Sequence, residues 1–198
     1  MARKVVAIVG SYRKGGTIDA AVQAILEGAR EKGAATSIIY LTDQHLEFCN
    51  NCRRCTQAPG RQRGQCVQHD DLDAILHEID AADAIVLGSP VNCFNLTAIF
   101  RRFMERLTGA AYWPWGQNGP SMRTRDCKRR AALVSSSAMP GFMLPIFTGA
   151  SRALRLTAQM LGAKPVGKLW IGLSGKQPQQ ALSQRTLEHA RRIGLSLV

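Results

Sequence analysis

The sequence predicts an open α/β fold on a parallel sheet, with its working site at the carboxyl ends of the strands. Short apolar or β-branched runs alternate five times with stretches whose apolar residues recur at three and four, the pattern of parallel strands joined by right-handed crossovers. In addition, three loops rich in Gly, Ser or Pro each follow a predicted strand. That puts them along one edge of one sheet, where open α/β sheets bind ligands.

Taken in order, residues 4–9 (Lys-Val-Val-Ala-Ile-Val) read as a buried strand ending at Gly10. Ile18, Ala21, Val22, Ile25, Leu26 and Ala29 form one helical stripe over 17–32, with Thr17 as the expected N-cap and Gly33 as the C-cap. A second strand follows over 36–41. From Asp43 to His69 the periodicity dissolves into a polar segment rich in Cys, Arg and Gly, a long loop of the kind that usually has a function. Asp70 is expected to cap a helix carrying Leu72, Ile75, Leu76 and Ile79, with Asp73 near its positive end. The third strand is read over 84–87 and closes at Gly88-Ser89-Pro90. A helix over 96–107 puts Ile99, Phe100, Phe103 and Leu107 on one face. The irregular stretch 108–125 holds Tyr112, Trp113 and Trp115, which suit a lid over a planar ligand, a subunit contact or plain surface packing. The fourth strand is read over 131–135, a mainly helical stretch over 144–161 with Pro145 in its first turn, the fifth strand over 168–173 and a closing helix over 179–193. The expected organisation is a single domain over 1–198 with a cysteine-rich insertion at about 43–69.

The totals narrow the function classes. With 198 residues, 45% of them hydrophobic, one core between a sheet and two helical layers can be filled. The apolar runs fall far short of the roughly 20 residues needed to cross a bilayer. The apolar stretch near the start is better read as a strand than as a signal peptide, so a cytoplasmic protein with no membrane span is expected. The formal net charge is +12, from 26 Lys plus Arg against 14 Asp plus Glu, which favours anionic ligands through a long-range field. The basic residues are scattered and form no arm or helix. A phosphate-bearing cofactor and a generally basic surface are therefore expected, and nucleic acid is not.

Three segments are candidates for chemistry. Gly10-Ser11-Tyr12-Arg13-Lys14-Gly15-Gly16-Thr17 lies between a strand and a helix start, where backbone N–H groups and the positive dipole end meet an anion. Its spacing matches neither the dinucleotide fingerprint nor the nucleoside triphosphate loop, so a terminal monophosphate fits better, the plain alternative being a turn with a helix cap. Gly88-Ser89-Pro90-Val91-Asn92-Cys93-Phe94-Asn95 offers a stiffened backbone and two amides that could edge a flat ring, or could merely turn a corner; 135–142 occupies the matching place after the fourth strand. Cys49-x2-Cys52-x2-Cys55-x10-Cys66 could converge on an iron-sulfur cube, hold zinc, or remain reduced in a surface loop. The flanking Arg53, Arg54, Arg61 and Arg63 would offset thiolate charge. The four dispersed histidines receive no catalytic role, and no nucleophile, base and orienter set can be assembled.

These residues resemble the flavodoxin-fold family of NADPH-dependent FMN reductases, near its iron-sulfur flavoprotein branch. The resemblance covers most of 4–175. It rests on Gly10 to Thr17, on the three spaced cysteines followed by Gly64-Gln65-Cys66 and Asp70-Asp71-Leu72, and on Gly88-Ser-Pro-Val91 leading into a helix. It implies a flavodoxin-like three-layer sandwich with a five-stranded parallel sheet, FMN as cofactor and NAD(P)H as electron donor. The implied acceptor is a quinone, metal ion or other small molecule. The FMN phosphate cradle would comprise Ser11, Arg13, Gly16 and Thr17; the ring would lie between Pro90, Val91, Asn92, Cys93, Phe94 and Asn95 on one side and Ser136, Ser137, Met139 and Gly141 on the other. The resemblance also implies a homodimer or homotetramer with the flavin site completed between subunits. In the iron-sulfur branch, residues like Cys49, Cys52, Cys55 and Cys66 hold a 4Fe-4S cluster that passes electrons to FMN, which makes an electron-transfer protein the first alternative. A non-enzymatic basic binding protein on the same fold is the second. The chain departs from the family at Gly16, where Asn is usual, at Asn92 and Cys93, which displace the aromatic Phe94, and in its long gap from Cys55 to Cys66.

Overall fold

Side chains alternate between the two faces of a strand, and in this protein both faces are apolar, so the sheet must be covered on both sides. The computed structural model describes residues 2–123, 126–177 and 180–198; Arg125 of the second irregular stretch and Gln179 at the expected start of the closing helix lie outside them. The elements are β1 (Lys4–Val9), α1 (Thr17–Glu31), β2 (Ala35–Tyr40), α2 (Leu72–Asp80), β3 (Ala84–Gly88), β4 (Val91–Asn92), β5 (Asn95–Leu96), α3 (Ala98–Arg106), β6 (Ala111–Tyr112), β7 (Ser121–Met122), β8 (Arg129–Ser136), α4 (Leu144–Phe147), α5 (Ala150–Met160), β9 (Ala163–Ile171) and α6 (Gln184–Leu197). The main sheet has the order β2-β1-β3-β8-β9 and every pairing in it is parallel, as the sequence predicts. Val6, Ile8, Ile85, Leu87 and Leu133 pack with the apolar stripes of α2, α3 and α5. Val5, Ala7, Val9, Val86 and Val134 pack with those of α1 and α6. No helix among the described residues is long and apolar enough to cross a membrane.

Several boundaries differ from expectation for identifiable reasons. Gly16, not Thr17, is the N-cap of α1, and no side chain caps it. Asp71 is the N-cap of α2, while Asp70 accepts the Leu72 N–H at 3.1 Å from outside the helix. The fifth main strand begins at Ala163, because Pro165 is tolerated on an edge strand beside a bulge, where Ala131 pairs with Pro165 and Ala132 with Gly167. The helix expected over 144–161 is interrupted: Thr148 is extended, and Gly149 donates its N–H to Phe94 O at 2.9 Å. A Cβ on Gly149 would come within 2.9 Å of the Asn95 amide, so the break makes room for the β4–β5 hairpin.

The α1–α6 crossing is a contact between backbones. A Cβ on Gly28 would lie 2.1 Å from Arg191 O, and one on Gly194 would lie 1.9 Å from Ile25 O. Gly194→Ala should force the helices apart and cost about 1–3 kcal/mol or more, read as a lower urea midpoint. Gly119→Ala, which meets nothing within 4 Å, should leave the midpoint nearly unchanged.

Candidate functional site

The order β2-β1-β3 makes the chain reverse direction across the sheet at β1, so a crevice opens between the exits of β1 and β3. A network of buried polar groups fixes its shape. Gly10 donates its N–H to Gly88 O at 2.8 Å, and Ser89 donates its N–H to Val134 O at 3.1 Å. The Thr97 hydroxyl donates to Gly10 O, the Thr97 N–H donates to Ser89 Oγ at 3.3 Å, and Ser135 Oγ donates to Ser89 O at 2.8 Å. Thr97, Ser89 and Ser135 are all wholly buried. Thr97 also caps α3 by accepting the Phe100 N–H. The exits of β1, β3 and β8 are therefore tied into one piece, and the Tyr12 hydroxyl adds a link by accepting the Ile99 N–H at 3.1 Å.

The first loop is pinned from beneath by Asp19. This nearly buried carboxylate accepts the Gly15 N–H at 2.7 Å and the Tyr40 hydroxyl at 2.7 Å. Gly15 has φ +71, which glycine adopts without strain. Burial first, and then the hydrogen bond and charge of Asp19, push the Tyr40 pKa up to about 12, so Tyr40 stays a neutral donor. With no side chain over its start, α1 presents its N-terminal N–H groups and positive dipole end at the crevice.

The resulting cleft measures about 520 Å³ and is lined by Ser11, Tyr12, Arg13, Gly16, Thr17, Ile18, Pro90, Val91, Asn92, Ser136, Ser137, Ala138, Ser174, Gly175 and Gln177. The predicted residues Ser11, Arg13, Gly16, Thr17, Pro90, Val91, Asn92, Ser136 and Ser137 thus come together. Cys93, Phe94, Asn95, Met139 and Gly141 stand outside the lining. Cys93 and Phe94 form the exposed tip of the β4–β5 hairpin at φ +47 and +60, and the Asn95 amide lies against Gly149. Met139 O accepts the Leu173 N–H at 3.0 Å, and Gly141 lies against Trp170 O.

Sequence reasoning missed the fourth wall, 172–177. Ser174 donates its N–H to Ser137 O at 2.9 Å, which zips this segment onto the loop after β8. The available signal was that the exit of the fifth strand also lies on the carboxyl edge and contains Gly172, Ser174 and Gly175. The Ser174 hydroxyl is buried without a partner among the described residues. An orphaned hydroxyl, an uncapped helix start and a cleft within the usual range for small ligands fit a flat, phosphate-bearing group such as FMN.

The cysteine segment is held by a different interaction. The Arg106 and Asp70 side chains form an ion pair that is wholly buried, and Arg106 also donates to Glu47 O at 2.8 Å and to Cys66 Sγ at 3.4 Å. Burial alone would raise the Asp70 pKa, but the hydrogen bonds from Arg106 and from the Glu47 and Leu72 N–H groups outweigh it and hold the carboxyl below its usual range. Trp113 and Trp115, expected as a lid, a subunit contact or surface packing, sandwich the Arg53 guanidinium at 3.8 and 4.0 Å. Cys49, Cys52, Cys55 and Cys66 are free thiols lining one recess of about 20 Å³, no larger than about one water molecule. Burial, and then the neighbouring thiols, push the Cys55 thiol pKa up. Among the described residues, no three His, Cys, Asp or Glu side chains are arranged to hold a metal ion.

A profile of the family described as NADPH-dependent FMN reductase matches residues 3–178. An iron-sulfur flavoprotein of Archaeoglobus fulgidus is 30% identical over 111 residues, 56% of this chain and 48% of that protein. One from Methanocaldococcus jannaschii is 36% identical over 103 residues, 52% and 51% of the two chains. The chain thus spans about half the length of the curated relatives it matches. The solved NAD(P)H:quinone oxidoreductase from Methanothermobacter marburgensis superposes with a TM-score of 0.75 over 100% of both chains at 18% identity. An azoreductase from Bacillus anthracis gives 0.71 over 98% of this chain and 99% of that one at 15% identity. At such identities the likeness is one of fold.

Thr97→Val should cost about 1–3 kcal/mol and lower the melting temperature, while Thr97→Ser should restore most of the loss. Asp70→Asn strands the buried Arg106 charge and should cost about 3–5 kcal/mol in urea unfolding at neutral pH. Because the folded Asp70 pKa is depressed, its contribution is present above the ordinary carboxylate pKa of about 3.9 and is lost as pH falls through the lower folded value. The variant should therefore lack that part of the wild-type acid dependence.

Proposed function

The chain belongs to the NADPH-dependent FMN reductase family, and from that premise we propose that it is an FMN-dependent oxidoreductase carrying electrons from NAD(P)H to a small acceptor such as a quinone or a metal ion. The observation that supports it best is the cleft at the carboxyl edge, where an uncapped helix start faces two ring-sized walls tied together by buried hydroxyls. Arg13, Ser11, the close-approach position Gly16 and the Thr17 N–H at the bare start of α1 would hold the terminal phosphate. Pro90 to Asn92 and Ser136 to Ala138 would flank the ring, with Ser174 offering a buried hydroxyl at its edge. Bound FMN supplies hydride acceptance and onward electron transfer, which no side chain here can perform. The protein contributes orientation, because the exits of β1, β3 and β8 cannot shift independently.

A homodimer or homotetramer belongs to the same reading. Phe142, Ile146 and Phe147 are 73%, 70% and 57% exposed, and Phe94, joined to this segment through Gly149, is 68% exposed. Such a cluster of exposed apolar side chains favours burial against another subunit. Two observations favour the iron-sulfur alternative: four thiols share one recess, and curated relatives carry the name iron-sulfur flavoprotein.

Protein purified without air should show flavin absorbance and bind about one FMN per chain, with NAD(P)H bleaching the flavin bands. Arg13→Glu should weaken FMN binding, read by fluorescence quenching, by about tenfold or more. Stoichiometric iron and sulfide on the same sample would move the reading to the iron-sulfur carrier. Failure to take up FMN would leave the non-enzymatic binding protein.

A further inference from the structure

The opposite edge of the sheet carries a second cavity, of about 430 Å³, where β8 and β9 begin and α2 and α5 end. Arg61, Arg63, Arg123 and Arg129 line it, and Asp80 is the one carboxylate among the lining residues. Asp80 is already shared, paired with Arg63 and, at 3.2 Å, with Arg129. Arg129 otherwise donates to the carbonyls of Asp80, Ala82 and Leu161. Arg123 donates to those of Cys55, Ala58, Gly60 and Gly109. Carbonyls satisfy these donors without cancelling their charge. The ends of α2 and α5 supply about half a negative charge each, so four guanidinium groups against one carboxylate still leave an excess of about two positive charges. Arg61 is exposed and has no hydrogen bond or ion pair among the described residues.

The cavity also has an apolar floor, formed by Met122, Met160 and Leu161. Guanidinium groups match phosphate oxygens in pairs, and an apolar floor suits an organic group attached to them. We propose that this cavity binds a small phosphate polyanion, a di- or polyphosphate group either free or carried on an organic ester. The site is separate from the cleft at the carboxyl edge. β8 reaches from Arg129 in one to Ser136 in the other, seven steps of about 3.3 Å, or roughly 23 Å. A ligand here would also touch the cysteine segment, because Arg61 and Arg63 belong to it and Arg123 holds its carbonyls.

The test is calorimetric titration of the full chain, kept in excess FMN, with inorganic pyrophosphate and separately with ADP. Saturable binding of either is expected, weakened about tenfold or more in Arg61→Glu and again in Arg61→Glu/Gln62→Glu, with flavin absorbance and melting temperature unchanged. Tighter binding of ADP would identify an ester as the ligand, and tighter binding of pyrophosphate the free ion; both support the site. Absence of saturable binding, or equal affinity in the wild type and both charge variants, would overturn it. FMN uptake is measured on the same samples, so a failed cofactor reading remains distinguishable from a failed anion site.

Discussion

The Thr97 hydroxyl is the point on which the carboxyl edge depends. It sits in an apolar core, donates to Gly10 O and accepts the Phe100 N–H in the first turn of α3, while the Thr97 backbone N–H donates to Ser89 Oγ. A buried polar group without partners is costly, and a network with every member satisfied is rigid. The hydrophobic halves of the core decide that β1, β3 and β8 lie side by side. This hydroxyl decides how their exits meet, and hence that the loops behind Ser11, Pro90 and Ser136 present one fixed crevice.

The cysteine segment follows a different rule. Its anchor is the charge pair Arg106 and Asp70, which must be made together or not at all, because either partner alone would be an uncompensated buried ion. Around that anchor the segment is held largely by arginines donating to carbonyls, as with Arg53 to Trp113 O and Arg123 to Cys55 O. The high basic content is thus partly structural: guanidinium groups do the work that secondary structure would do elsewhere, and their charge stays on the molecule as a consequence.

What was legible in the sequence was whatever repeats locally. The stripes Ile18 to Ala29 and Leu72 to Ile79, and the β-branched runs of β1 and β3, define elements because their periodicity is enforced by burial on a stated face. The first-loop residues that line the cleft, Ser11, Arg13, Gly16 and Thr17, were legible through the glycines before a helix. What was not legible depends on contacts distant in sequence. The helix break at Thr148 and Gly149 exists for a hairpin more than fifty residues earlier, and 172–177 is brought to the cleft by its contacts with the loop 137–141. Gly16, not Thr17, is the N-cap of α1, and no side chain caps it, a boundary that residue type alone did not announce. The spacing of four cysteines put them in one recess but did not determine how tightly the recess is packed.

The stacking of Trp113 and Trp115 on Arg53 gives the protein an optical property. Two of its three indoles report on the clasp that holds the cysteine segment, while the third, Trp170, sits in β9. A cation against an indole face alters its emission, so any event that lifts the segment changes the colour and yield of intrinsic fluorescence at that clasp. Opening of the thiol recess is therefore visible in solution without an added label.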